Sequence, residues 1–265
     1  MGAIADAFGA LCEGTSMSAL HLVVHPADTF SFLTPLSVDL PVPRRQKALR
    51  HHAALLTQTR DPGGLRLHAE TVRTFDAPDG SERLMWVHVL AVPSAVEDRV
   101  ATLTDMLGLP APQWVNSTHA TIPIVAETEL QAVSHKDALR PYSLTVGAYS
   151  THTEYALARN RNWYHSHVAV DATTNDDRVY YAVGMLNRLS VEVGRIGRVF
   201  LYGPKASGSS STYQSVFDRT ATILDLRDVV DFQPETPASD DLSVGTLTPD
   251  FVPCVGATLL GESSG

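Results

Sequence analysis

The chain has 265 residues, 44% of them hydrophobic and 18% charged, enough to bury the core of one large domain or of two lobes. Its formal net charge is −9, with three lysines (Lys47, Lys136, Lys205) among its 20 basic residues and no long run of Lys or Arg. That balance argues against a nucleic-acid footprint, which needs a basic patch. The two cysteines, Cys12 and Cys254, stand near opposite ends, so no disulfide framework is expected and a reducing, cytoplasmic setting is. No stretch is long and apolar enough to be a membrane span.

The first twelve residues lack a basic segment before their apolar part, so they do not read as a signal peptide. The spacing of Ala3, Ile4, Ala7, Phe8 and Leu11 predicts a short amphipathic helix instead. Residues 19–25, rich in β-formers and stopped by Pro26, predict a strand, and residues 29–33 a second. Pro43 opens a predicted helix through Leu56, and Asp61-Pro62-Gly63-Gly64 reads as a loop. Residues 65–75 and 83–92 predict a hairpin turned at Asp76 to Gly80. Ser94 and Glu97 have capping-box spacing, ahead of an apolar face of Val96, Val100, Leu103 and Leu107 that stops at Gly108 and Pro110. A strand at 113–116 and a helix from about 121 to 133 follow.

The second half changes rhythm. Residues 142–147, 153–159 and 163–170 predict three consecutive strands, the last two joined by the polar turn Asn160-Arg161-Asn162. A helix over 175–191 is predicted from Asp176 and Asp177 in its first turn and an apolar face of Val179, Val183, Leu186 and Leu189. Next come a strand at 198–202, a Gly/Ser loop, a helix at 212–224, a strand at 229–232 and a closing helix at 251–260. The order βββαβαβα is that of a ribonuclease H-like lobe.

Residues 143–167, opening Ser143-Leu144-Thr145-Val146-Gly147-Ala148-Tyr149-Ser150-Thr151-His152-Thr153-Glu154, resemble the second phosphate-binding hairpin of the pilus-assembly PilM proteins and the related GspL proteins of type II secretion. Ile196 to Pro204 looks like the strand leading to their adenosine-side Gly-Gly loop, and Phe251 to Leu260 like their closing helix. The run Thr174-Asn175-Asp176-Asp177-Arg178-Val179-Tyr180-Tyr181 resembles more closely a group of uncharacterised, degenerate actin-fold proteins. The resemblance spans roughly Leu20 to Leu260 and implies an α/β, actin-like ATPase (ribonuclease H-like) fold. It implies a partial N-terminal lobe over 1–139 with an inserted α+β subdomain, and a C-terminal lobe over 140–265.

Two departures from that pattern shape the functional expectation. The first three strands of the family, with their phosphate loop, have no counterpart, so the resemblance implies a first lobe truncated at its N-terminus. The exposed sheet edge that this would leave beside residues 19–25 predicts self-association or capture of a partner strand. The family's Asp-x-Gly reads Thr145-Val146-Gly147, and threonine lacks the hard anionic oxygen that organises Mg²⁺. The Gly-Gly of the adenosine loop reads Gly203-Pro204, which removes a backbone donor. The degenerate nucleotide-site positions implied are Thr145, Gly147, Ser150, Thr151 and Gly203. No catalytic residue, no cofactor and no metal are expected.

Other chemistry is less well supported by the residues. His165-Ser166-His167 places two imidazoles on one strand face, a spacing zinc can use, but no third ligand stands at a fitting interval. His51 and His52 are helix neighbours that point apart. Lys205 precedes Gly208, the wrong order for a Walker loop. No Gly-x-Ser-x-Gly elbow is present, and Cys254 is expected on an apolar helix face. Trp86, Trp114 and Trp163 are dispersed and read as core aromatics. The sequence therefore predicts a non-enzymatic actin-fold scaffold or binding protein with an unidentified protein partner. Its alternatives are an ATP-binding PilM/GspL-like component of a cell-envelope assembly, and a metal hydrolase using His165 and His167.

Overall fold

A computed structural model of the chain describes residues 18–59, 61–131, 140–207, 210–219, 221–224, 226 and 249–262. The helix expected near the N-terminus and the strand expected at 229–232 lie outside them. The chain forms two compact units, one of Met1–Val24 with Asp28–Val115, the other of His25–Ala27 with Asn116–Gly265.

In the first unit, β1 (His21–Val24) and β5 (Gln113–Asn116) form a two-stranded sheet. β2 (Phe30–Ser37), β3 (Leu65–Asp76) and β4 (Arg83–Pro93) form an antiparallel sheet with β4 central. Its central place explains why β4 departs from simple alternation: Val87 through Val92 are all buried. Helix α1 (Val42–Thr57) contributes Leu49 to a cluster with Leu36, Met85, Val87 and Val89. Helix α2 (Ser94–Met106) starts directly from β4 with Pro93 as its N-cap and no side-chain cap. The expected capping box does not form, because Ser94 is already helical and Glu97 turns to Arg66 and His68, at 4.0 and 3.7 Å.

The second unit is built on five strands, β6 (Tyr142–Ala148), β7 (Thr153–Arg159), β8 (Asn162–Ala169), β9 (Ile196–Tyr202) and β10 (Ala221–Ile223), in the order β10-β9-β6-β7-β8. β6, β9 and β10 run parallel, and β7 is antiparallel to both its neighbours, the arrangement of a ribonuclease H-type lobe. The helix expected over 212–224 is only α5 (Ser210–Phe217), because Asp218 adopts φ 50° and ends it, which frees Ala221–Ile223 to complete the sheet as β10.

Alternation along β6 assigns the two faces. Tyr142, Leu144 and Val146 pack with Val179, Met185 and Leu186 of α4 (Asn175–Arg188) and with Tyr213 and Phe217 of α5. Thr174 caps α4 by accepting from the Asp177 backbone N–H at 3.2 Å. The opposite side carries α3 (Ser117–Gln131) and α6 (Val252–Glu262), whose Ile124, Val125 and Val252 cluster with Phe200 and Tyr202 of β9. α3 begins four residues before its expected start because Asn116 Oδ1 accepts from both the N–H and the hydroxyl of Thr118, each at 3.0 Å. α6 approaches α3 so closely that a Cβ on Gly256 would stand 1.7 Å from the Ala120 carbonyl oxygen. Cys254, expected on an apolar face, is exposed.

Candidate functional site

The α3-facing side of β6 presents Ser143, Thr145 and Gly147 in turn. Gly147 lies opposite Glu154 of β7 and opposite Tyr202 of β9, so the three residues form one row across adjacent strands. A Cβ at position 147 would come 2.5 Å from the Tyr202 ring. Lacking one, the strand lets the tyrosine lie across it and donate its hydroxyl to Glu154 Oε2 at 3.0 Å.

Glu154 is fully buried. Its other oxygen, Oε1, accepts from Ser117 Oγ at 2.8 Å and lies 2.8 Å from His25 Nδ1 and 3.5 Å from His152 Nε2. Burial alone would raise the carboxyl pKa; the two imidazoles, the His25 charge and the Ser117 hydroxyl outweigh it and bring it down to about 2. Ser117 is the first residue of α3, so the carboxylate also sits by a helix N-terminus, where negative charge is favoured. Tyr202 is pushed the other way, first by burial and then by the Glu154 charge, which keeps it a hydroxyl donor.

The turn from β6 to β7 closes with the Tyr149 N–H donating to the His152 carbonyl at 3.1 Å, leaving Ser150 and Thr151 exposed at its tip. Tyr149 stacks on His152, with ring centroids 4.7 Å apart and planes 15° apart, and meets His25 edge-on at 4.7 Å. Thr151 Oγ1 lies 3.0 Å from His152 Nδ1. Buried Arg178 anchors the base of the turn through the Tyr149 carbonyl at 3.0 Å and Thr153 Oγ1 at 3.2 Å. Among the described residues, the buried atoms His152 Nε2 and Tyr149 Oη have no hydrogen-bond partner.

Of the five positions singled out by resemblance, Gly147, Ser150, Thr151 and Gly203 lie at one end of this sheet and Thr145 in the middle of β6, so they do not form one set of groups. Thr145 is buried, its hydroxyl donating to the Ala156 carbonyl at 3.0 Å with Thr121 Oγ1 at 3.5 Å. Gly147 provides the gap for Tyr202. Ser150 and Thr151 form the turn, and Gly203, at φ 89°, folds the chain after β9 against Ala148. His167 stacks near Tyr155 and Tyr181, and neither it nor His165 joins a third metal-ligating side chain among the described residues.

His25, Ser117, His152, Glu154 and Tyr202 went unmarked in the sequence. The one local signal was Glu154 itself, a charge at the start of the otherwise uncharged run Thr153 to Ala158. Its partner His25 is 129 residues away and Tyr202 is 48, so no motif spacing joins them.

No protein-family model matches this sequence, and no curated protein does. Among solved structures, one described as the PilM–PilN type IV pilus biogenesis complex is similar over 98% of this chain and 84% of that one, at TM-score 0.62 and 17% identity. A Bacteroides thetaiotaomicron protein with an actin-like ATPase fold and unknown function is similar over 83% and 76%, at TM-score 0.51 and 7% identity. Identities this low establish architecture rather than activity. In architecture this chain has an actin-like ATPase fold.

Proposed function

We propose that this protein is a non-catalytic actin-fold scaffold that acts by binding another protein on the cytoplasmic side of the cell envelope. The observation that carries this is the row Tyr202–Gly147–Glu154. In a nucleotide-hydrolysing relative, the glycine of Asp-x-Gly would leave room for phosphate to approach the strand; here a tyrosine ring fills that space and is hydrogen-bonded there. Thr145, at the position of the metal-organising carboxylate, carries no charge and donates its hydroxyl to a neighbouring strand. The similarity to a protein solved as a PilM–PilN complex supports a protein partner, and no described helix is long and apolar enough to cross a membrane.

The competing reading is an ATP-binding component of a pilus or secretion assembly, which the same similarity favours. Melting curves with and without millimolar Mg-ATP, with Mg²⁺ alone as control, separate the two, because a ligand bound to the native state must raise the melting temperature. No nucleotide-dependent rise and no phosphate release are expected. A clear rise that requires both Mg²⁺ and ATP would overturn the scaffold reading.

A further inference from the structure

His25, His152 and Glu154 bring three metal-ligating atoms within 4.8 Å of one another. Tetrahedral ligands bonded at about 2.0–2.1 Å stand about 3.3 Å apart. The separations here, 2.8 Å from His25 Nδ1 to Glu154 Oε1 and 3.5 Å from His152 Nε2 to Glu154 Oε1, lie on either side of that value. The unpartnered atom supplies the second argument. If His152 gives its Nδ1–H to Thr151 Oγ1, its Nε2 keeps a lone pair, buried and aimed at the oxygen of an ionised carboxylate. A cation between Nε2 and Oε1 would then be bonded by both, in place of the stabilisation that the His152 ring gives the carboxylate in the metal-free protein. The Thr151 hydroxyl would then do what outer partners do at metal sites, fixing the tautomer and orientation of the ligating ring.

We propose that His25 Nδ1, His152 Nε2 and Glu154 Oε1 form a binding site for a divalent transition-metal ion, best suited to zinc. Two imidazoles beside one carboxylate make a ligand set that zinc accepts, whereas calcium and magnesium, which prefer oxygen, would be offered a single suitable ligand. The His25 side chain is 30% exposed while Glu154 is fully enclosed, so the open fourth position lies on the solvent side and takes water. The ion would tie the segment His25–Ala27 to the β6–β7 turn, making it a structural clasp. The site is distinct from the nucleotide question, since it is loaded with metal alone.

The test uses tag-free full-length protein, stripped with a chelator and titrated with zinc chloride without nucleotide, following calorimetry, bound zinc and melting temperature. About one equivalent of zinc is expected, with a rise in melting temperature reversed by chelator, and Co²⁺ in place of zinc should give the visible absorption of a tetrahedral site. His25→Gln and His152→Gln should each weaken binding by more than about 100-fold, and Thr151→Val by about 10- to 100-fold. His165→Gln/His167→Gln should bind as the unaltered chain does. If His152→Gln does not fold, His25→Gln decides, because its ring is partly exposed. Zinc uptake equal in the unaltered chain and in His25→Gln, or none in either, overturns the proposal.

Discussion

The hydroxyl of Tyr202 reaches Glu154 by passing over Gly147, so one strand's missing side chain is what allows its two neighbours to bond. The glycine is therefore a packing requirement of this lobe, whatever its ancestry. Gly147→Ala should destabilise the protein by about 3 kcal/mol, since the new methyl meets the tyrosine ring inside a close-packed layer. In urea unfolding, combining it with Tyr202→Ala should cost clearly less than the sum of the two single changes, and strict additivity would show that the ring is not the obstacle.

Tyr202→Phe keeps the ring and removes only the donor to a buried carboxylate. A loss of about 2 kcal/mol is expected, the range for hydrogen bonds to charged groups. An unchanged unfolding midpoint would mean that Glu154 finds another donor.

Much of the second unit was legible from sequence. Leu144 and Val146 alternate with Thr145 and Gly147 in the way a strand between two helical layers requires, and Asp176, Asp177 and the apolar face of residues 179–189 marked α4. What failed has identifiable causes. The end of α5 depends on a left-handed Asp218, a conformation uncommon for a non-glycine residue, so the expected helix ran on to 224 across what is β10. Ser94 had the spacing of a cap, but Pro93 ended the strand so abruptly that Ser94 was already inside the helix. The buried cluster was unreadable for a different reason: His25, Ser117, Glu154 and Tyr202 share no period, and only the packing of α3 and the sheet brings them together.

Gly256 marks a close approach of α6 to α3. Gly256→Ala should cost about 3 kcal/mol or more, because the Cβ would collide with a backbone carbonyl that cannot rotate away. A thermal melt within a degree or two of the unaltered protein would mean that α6 docks more loosely than this.

His167 is held below its ordinary pKa of 6.5, by burial first and by Arg188 second. The unfolded chain therefore takes up a proton near pH 6.5 that the folded chain refuses until lower pH. Stability present above pH 6.5 should fall as the pH drops through that window, and His167→Phe should flatten the fall. Urea midpoints at pH 7.5 and 5.5 measure it, and equal slopes for the two proteins would remove His167 as the cause.

β1 has four residues and β5 four, in a sheet of two strands among the described residues, whereas α4 is a fourteen-residue helix packed on the five-stranded sheet. Amide exchange should therefore be faster in residues 21–24 than in residues 179–186. Equal protection in a monomeric sample would show that β1 is held by more than its pairing with β5.

The segment His25–Ala27 belongs to the second unit although the chain on either side of it belongs to the first. A gene fragment beginning at Asn116 would encode the whole five-stranded sheet and still lack the ring that stands against its deepest carboxylate. Mapping by truncation is thus misleading for this molecule: an activity lost from such a fragment reports the absent imidazole as much as any absent lobe. The remedy follows from the same fact. A short synthetic peptide carrying His25, added in trans or fused ahead of Asn116, should return to the fragment what the cut removed.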